Sequence, residues 1–128
     1  MKFRKHQHLR KAADFARVYA ARCIVRGPHL TIFGMANDFG CLRVGLSVSK
    51  KNHGNAVRRN RLKRLLREAF RQSYETLPQG LDLVLIPAPA KEATVADFKD
   101  AIVQGVRKLS RKMPRAAQTP AASESTPQ

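Results

Sequence analysis

Residues 50–71 carry nine lysines and arginines and a single acid, Glu68. A stretch this charged becomes ordered only if an apolar face pins it to a body, and the sequence provides one. At about 100° per residue, Leu62, Leu65, Leu66 and Ala69 fall on one stripe with Phe70 at its edge. Asn60, Arg64, Arg67 and Arg71 form a narrow arc on the opposite side, flanked by Arg61 and Lys63. Asn55 suits the cap of a helix beginning near Ala56, and Gly54 gives the chain freedom just before it. The segment therefore reads as a helix with one buried face and one cationic ridge. Solvated helix faces usually mix signs through i,i+4 pairs, and this one does not. Arginine outnumbers lysine on the ridge, which favours bidentate phosphate recognition over mere solubility.

The rest of the composition agrees. The chain has 128 residues with 25 Lys+Arg against 9 Asp+Glu, a net charge of +16. Its hydrophobic content of 43% excludes a wholly disordered polycation, so a folded body carries the charge. Such a body needs a polyanion, and nucleic acid is favoured over an anionic membrane surface. No apolar run approaches the ~18 residues of a membrane span. The basic start leads into no hydrophobic region, so no secretory signal is expected. Cys23 and Cys41 form no CxxC motif and read as thiols in a reducing cytosol rather than a disulfide. Residues 114–128 contain Pro114, Pro120 and Pro127 and no large apolar side chain. They read as a disordered tail beyond a domain of residues 1–113.

Before the tail the order reads helix, two strands, helix, strand, helix. Residues 11–21 place Ala12, Phe15, Ala16 and Tyr19 at helical spacing, and Pro28 ends the linker that follows. Residues 30–36 alternate, with Leu30 and Ile32 opposite Thr31, Phe33 and Met35. Asn37, Asp38, Phe39 and Gly40 have the composition of a hairpin turn. Residues 42–49 alternate again, Val44, Leu46 and Val48 against Arg43, Gly45, Ser47 and Ser49. Residues 81–86 are almost continuously apolar, as a buried strand is. Thr94 and Asp97 are spaced as a capping box before a stripe of Val95, Phe98, Ile102, Val106 and Leu109. The expected fold is α+β: a small, mostly antiparallel sheet with helices packed on one face.

The run Arg43-Val44-Gly45-Leu46-Ser47-Val48-Ser49-Lys50-Lys51, followed by Gly54-Asn55-Ala56-Val57, Arg59-Asn60-Arg61, Lys63-Arg64 and Arg67-Glu68, resembles the signature of the bacterial ribonuclease P protein subunit family. The likeness is unbroken over residues 43–68. It extends more loosely from Leu9 to Leu109 through Asp14, Phe15, Tyr19 and Phe33. The resemblance implies an αβββαβα two-layer sandwich whose strand–basic helix–strand crossover is left-handed, where chirality alone favours a right-handed one. It implies an accessory subunit of an endoribonuclease. In that enzyme a catalytic RNA removes the 5′ leader of precursor tRNA, using Mg2+ bound mainly by the RNA. One protein per RNA, a cytoplasmic location, no membrane partner and no catalytic side chain in the protein are expected with it. Docking on the catalytic RNA is implied for Lys50, Lys51, Arg58, Arg59, Asn60, Arg61, Lys63, Arg64, Arg67 and Arg71.

The resemblance also implies a leader-binding cleft between the first helix and the open sheet face. Read from residues alone, Phe15 and Tyr19 are at i,i+4 and share a helix face. Phe33 leaves the sheet alongside Gly45, Ser47 and Ser49. This face is small and polar with one aromatic, a poor core but a suitable floor for unpaired nucleotides. Pattern leaves two readings open for Phe15 and Tyr19, an anchor for the helix or a stacking surface for bases. The resemblance assigns aromatic cleft residues at both positions. The candidate leader-binding set is thus Phe15, Tyr19, Phe33, Ser47 and Ser49.

Two other classes fit the charge: a structural RNA-binding protein such as a ribosomal one, and a nuclease with its own histidine–acid centre. Against the nuclease, the histidines show no metal-ligand spacing beyond His6-x-His8, and no paired carboxylates, nucleophile motif or phosphate-cradling loop is present. Glu68 reads as an intrahelical partner for neighbouring bases.

Overall fold

A strand that is apolar on both faces has to sit where both faces are covered. In the computed structural model, which describes residues 8–9, 11–37, 40–88 and 93–112, that strand is Leu81–Pro87 and it is central. The chain runs through helix α1 (Ala12–Ala20), strands β1 (Cys23–Arg26), β2 (Leu30–Ala36) and β3 (Arg43–Leu46), and a single turn of helix α2 (Lys50–His53). The long helix α3 (Ala56–Ser73), a 3-10 turn over Tyr74–Thr76, strand β4 (Leu81–Pro87) and helix α4 (Val95–Lys112) follow. Apart from α2 this is the αβββαβα order. The sheet order is β1-β2-β4-β3, with β1–β2 and β2–β4 antiparallel and β3–β4 parallel. Only the parallel pair needs a long connection, and α2 and α3 supply it.

Alternation along β4 sorts the core into two sides. Leu83 and Leu85 join Leu30, Ile32 and Val44 beneath Leu66 and Phe70 of α3 and Phe98, Ile102, Val106 and Leu109 of α4. Val84 points the other way, to Leu9 and to Val18 of α1, with Phe15, Tyr19 and Phe33 around them. Helices α3 and α4 therefore cover one face, and α1 covers part of the other. The capping box opens α4 as expected: the Asp97 N–H donates to Thr94 Oγ1 at 3.2 Å, and the Thr94 N–H to Asp97 Oδ2 at 2.9 Å. Those bonds, led by the backbone one from Thr94, hold the Asp97 carboxyl below its usual range.

The fold departs from the sequence expectation in four places. Strand β1 replaces what reads as a linker; it is four residues long and closes a hairpin onto β2, with Arg26 opposite Thr31. Strands β2 and β3 are not neighbours, because β4 lies between them, so the hairpin expected at residues 37–40 does not join paired strands. Asp38 and Phe39 of that turn lie outside the described residues, as do His6 and the tail at 114–128. Strand β3 ends at Leu46 rather than at Ser49, because residues 47–49 turn into α2. On α1, Ala12 and Ala16 are exposed while Val18 is buried, so the packed stripe is Phe15, Val18 and Tyr19. Cys23 and Cys41 are free thiols. Cys23 lies on the edge strand β1 and Cys41 just ahead of the opposite edge strand β3, so the width of the sheet separates them. Among the described residues no helix is long and apolar enough to cross a membrane.

Candidate nucleic-acid interface

Helix α3 is pinned as its sequence requires. The Asn55 side chain accepts a hydrogen bond from the Arg58 N–H at 2.9 Å. Leu62, Leu66, Ala69 and Phe70 are buried, and Leu65 is half-buried. Burying Leu66 and Phe70 stabilises the helix by about 1.5–3 kcal/mol each. Like-charged pairs at i,i+4, such as Arg59–Lys63 and Lys63–Arg67, cost only about 0.2–0.5 kcal/mol each. Packing therefore wins, and the cations are held out from the body. Asn60, Arg61, Arg64 and Arg67 are exposed, as are Lys50 and Lys51 on α2; Arg58, Arg59, Lys63 and Arg71 are half-buried. The Arg59 Nε is buried with no hydrogen-bond partner among the described residues.

Glu68 pairs within the helix. It accepts from Arg71 Nε at 3.0 Å, from Arg71 Nη2 and from Gln72 Nε2 at 2.8 Å. These bonds, Arg71's first, lower its carboxyl pKa to about 2, so the pair persists throughout the neutral range. The charge of Arg71 is thereby met internally, which sets it apart from Arg61 and Arg64.

His53, just ahead of α3, is 2% exposed. Its Nδ1 accepts from the Ser49 N–H at 3.0 Å, and its Nε2 lies 2.7 Å from the Pro87 carbonyl, to which it donates. The ring is therefore the neutral tautomer with hydrogen on Nε2, and it ties the α2 turn to the end of β4. Sequence pattern offers no sign of this, since a lone histidine beside a glycine has no period to read. His53→Asn retains a short acceptor near Ser49 and loses the reach to Pro87. It should cost about 1–3 kcal/mol in urea unfolding, with an unchanged m-value.

At the other end of β3, Arg43 and Asp82 form a bidentate pair, Nε–Oδ1 2.8 Å and Nη2–Oδ2 2.7 Å. Asn37 Nδ2 donates to the same Oδ1 at 2.7 Å. Asp82 is 1% exposed. The hydrogen bonds to Asp82 raise the pKa of the Arg43 guanidinium above its ordinary value. Arg43 is thus a half-buried anchor that ties two adjacent strands through the buried Asp82.

The cleft forms under α1. Phe33, Val84 and Gly45 lie in register across β2, β4 and β3. Phe15 rests on Gly45 so closely that a Cβ there would sit 2.5 Å from Phe15 Cζ. Tyr19 is 6.5 Å from Phe15 and meets Phe33 edge-on at 4.9 Å between centroids. All three rings are half-buried. Beside Phe15 opens a cavity of about 300 Å³ lined by His8, Leu9, Val44, Gly45 and Leu46, with Lys63 and Arg67 of α3 as its other wall. The expected aromatic trio is thus brought together: the rings pack on the sheet, as anchors of α1 would, and each keeps an exposed side. Ser47 and Ser49 follow β3 on the way to α2 and line neither the cavity nor the ring cluster. The Ser47 N–H donates to the Leu85 carbonyl at 3.0 Å. Lys63 and Arg67 are the residues whose place at the cleft sequence reasoning missed: their helical angle puts them on or beside the ridge, and in the fold they also line the cavity beside Phe15. Among the described residues no three His, Cys, Asp or Glu side chains converge as a metal-ligand set.

Cationic ridge, aromatic cleft and α+β frame together define a small basic nucleic-acid-binding protein. Comparison with known proteins narrows the class. The sequence model described as Ribonuclease P matches residues 3–110. The chain is 39% identical over 116 residues to the ribonuclease P protein component of Salmonella arizonae, covering 90% of this chain and 93% of that protein. It is 36% identical over 110 residues to that of Clostridioides difficile, covering 84% and 96%. The solved structure of the Staphylococcus aureus RNase P protein superposes with a TM-score of 0.69 at 32% identity, over 82% of this chain and 95% of that one. The chain belongs to the ribonuclease P protein family, and with that membership comes a part in tRNA 5′ processing.

Proposed function

We propose that this chain is the accessory subunit of a ribonuclease P whose catalytic centre lies in an RNA, and that it engages RNA through two surfaces. The exposed ridge of α3, with Lys50 and Lys51 ahead of it, docks on the catalytic RNA. The cleft under α1 holds the single-stranded 5′ leader of precursor tRNA. One observation carries the second half: Phe15, Tyr19 and Phe33 form a ring cluster beside a cavity whose far wall is Lys63 and Arg67. Ring faces for bases and cations for phosphates then lie within one cleft, which is what a sequence-tolerant single-strand site needs. Lys63 and Arg67 therefore serve the leader as well as the catalytic RNA, while Asn60, Arg61 and Arg64 serve docking alone. Mg2+ held mainly by the RNA would activate water and stabilise charge at the scissile phosphate. The protein's own residues bind and orient. One protein per RNA suffices, and the work belongs to the cytoplasm.

The test compares precursor with mature tRNA on the assembled ribonucleoprotein. Phe15→Ala and Tyr19→Ala should each weaken precursor binding by about 1–3 kcal/mol for the stacked base lost. Mature tRNA has no leader to stack, so its affinity should hold. Each variant is first melted, because the Tyr19–Phe33 contact also contributes about 0.5–1.5 kcal/mol to the fold. Equal losses for both tRNAs in well-folded variants would reduce the rings to helix anchors.

A further inference from the structure

A third basic cluster is absorbed by neither ridge nor cleft. In the last two turns of α4, Arg107, Lys108, Arg111 and Lys112 are exposed, and no acid lies between Gly105 and Lys112. They share an arc opposite the buried Ile102, Val106 and Leu109. This half of α4 lies over the β1 edge of the sheet. A Cβ on Gly105 would be 4.0 Å from Val25 Cγ1, and Lys112 Nζ donates to the Ile24 carbonyl at 2.5 Å. Cys23 and Val25 pack on the α4 side, so by strand alternation the exposed Arg26 leaves on the other side of the same edge. Arg22, immediately before β1, is exposed as well. Among the described residues none of these six cations is in an ion pair.

Structural reasons account for part of this cluster only. Cations at a helix C-terminus answer its dipole, but the effect fades within the last turn, and Arg107 and Lys108 lie before it. Charge on an edge strand discourages strand pairing, yet Lys112 already occupies the Ile24 carbonyl. Arg22 gives an independent sign. Its φ is 55°, the left-handed region in which glycine is the unstrained residue, and it stands just past the end of α1. An arginine is present where glycine or asparagine is the usual residue.

We propose that the β1 edge and the C-terminal half of α4 form a second RNA-docking surface, which takes the phosphate backbone of another segment of the same RNA that the α3 ridge docks on. The inference rests on the docking reading given above. Charge complementarity sets the chemistry: the edge runs roughly 13 Å, enough for about three to four phosphates of a duplex strand. Its position sets the partner. Lys63 and Arg67 place α3 beside β3, and β1 is the opposite edge of the sheet, so a folded RNA can engage both sides at once.

The test uses the full chain carrying Arg26→Gln, Arg107→Gln and Arg111→Gln, sparing Lys112 because of its backbone bond. It is titrated against ribonuclease P RNA over a salt series beside the ridge variant Arg61→Ala/Arg64→Ala. The expected result is a log-affinity against log-salt slope shallower by about 2–3, with the preference of the complex for precursor over mature tRNA unchanged. Wild-type affinity and slope, with the ridge variant impaired, would overturn the second surface alone. No effect in either variant would overturn the docking reading beneath it. A loss confined to precursor tRNA, or a change only in oligomeric state, would also overturn it, assigning the edge to substrate or to protection against self-pairing. Should the triple variant melt early, acetylation of Lys108 in wild-type protein decides. RNA binding should slow it several-fold, and an unchanged rate would overturn the proposal.

Discussion

Arg61→Ala/Arg64→Ala should leave melting close to wild type and weaken binding to ribonuclease P RNA by about 3–6 kcal/mol, since each charge-assisted hydrogen bond contributes about 1.5–3 kcal/mol. Both side chains are exposed, Arg64 opposite Leu62 and Leu66 and Arg61 on the flank of that face, and both stay clear of the cavity lining. The loss should be larger at low salt than at high salt, with the salt slope reduced by about one unit for each phosphate contact removed. Titration at several ionic strengths measures both quantities together. A full loss of affinity without any change in slope would point to a disturbed fold instead. In that case the urea midpoint should move as well.

The second large effect concerns stability. Arg43→Ala should destabilise the fold by about 3–5 kcal/mol, because it leaves the buried Asp82 carboxylate without its counter-charge. Among the described residues, Asn37 alone then remains as a donor to Asp82. The double variant Arg43→Met/Asp82→Asn removes both charges and keeps an acceptor for Asn37, so it should recover much of the loss. Equilibrium urea unfolding of the two variants separates these cases. A mild effect for Arg43→Ala would mean that water reaches Asp82. Because Arg43 and Asp82 pair across β3 and β4, the register that presents Gly45 to Phe15 depends on the same contact.

Both long helices were legible because their apolar stripes run for several turns and each has a cap written in side chains, Asn55 for α3 and the Thr94–Asp97 box for α4. Strand β2 was legible from alternation and β4 from its unbroken apolar run. Strand β1 has only four residues and ends in an arginine, too short for any period to emerge. The early end of β3 depends on His53 capturing the Ser49 N–H, a contact that no window of sequence contains. Sheet order is equally non-local: β2 and β3 are close in the chain, yet β4 separates them because it needs cover on both faces. In the site, i,i+4 spacing foretold that Phe15 and Tyr19 share a face, whereas the edge-on meeting of Tyr19 with Phe33 is set by how α1 lies on the sheet. Lys63 and Arg67 show the limit most clearly. A helical wheel gives their angle around α3, but only the packing of α3 beside β3 says that this angle opens on the cleft.

Division of labour between RNA and protein is the central claim, and one assay addresses it: cleavage of a precursor tRNA in Mg2+ by the protein alone, by ribonuclease P RNA alone, and by the two together. The account predicts no cleavage by protein alone. With both components present, leader removal at the mature 5′ end should be faster, at subsaturating precursor, than with RNA alone, and Phe15→Ala/Tyr19→Ala should lose much of that gain. Cleavage by protein free of RNA, or an RNA reaction that the protein leaves unchanged, would contradict it.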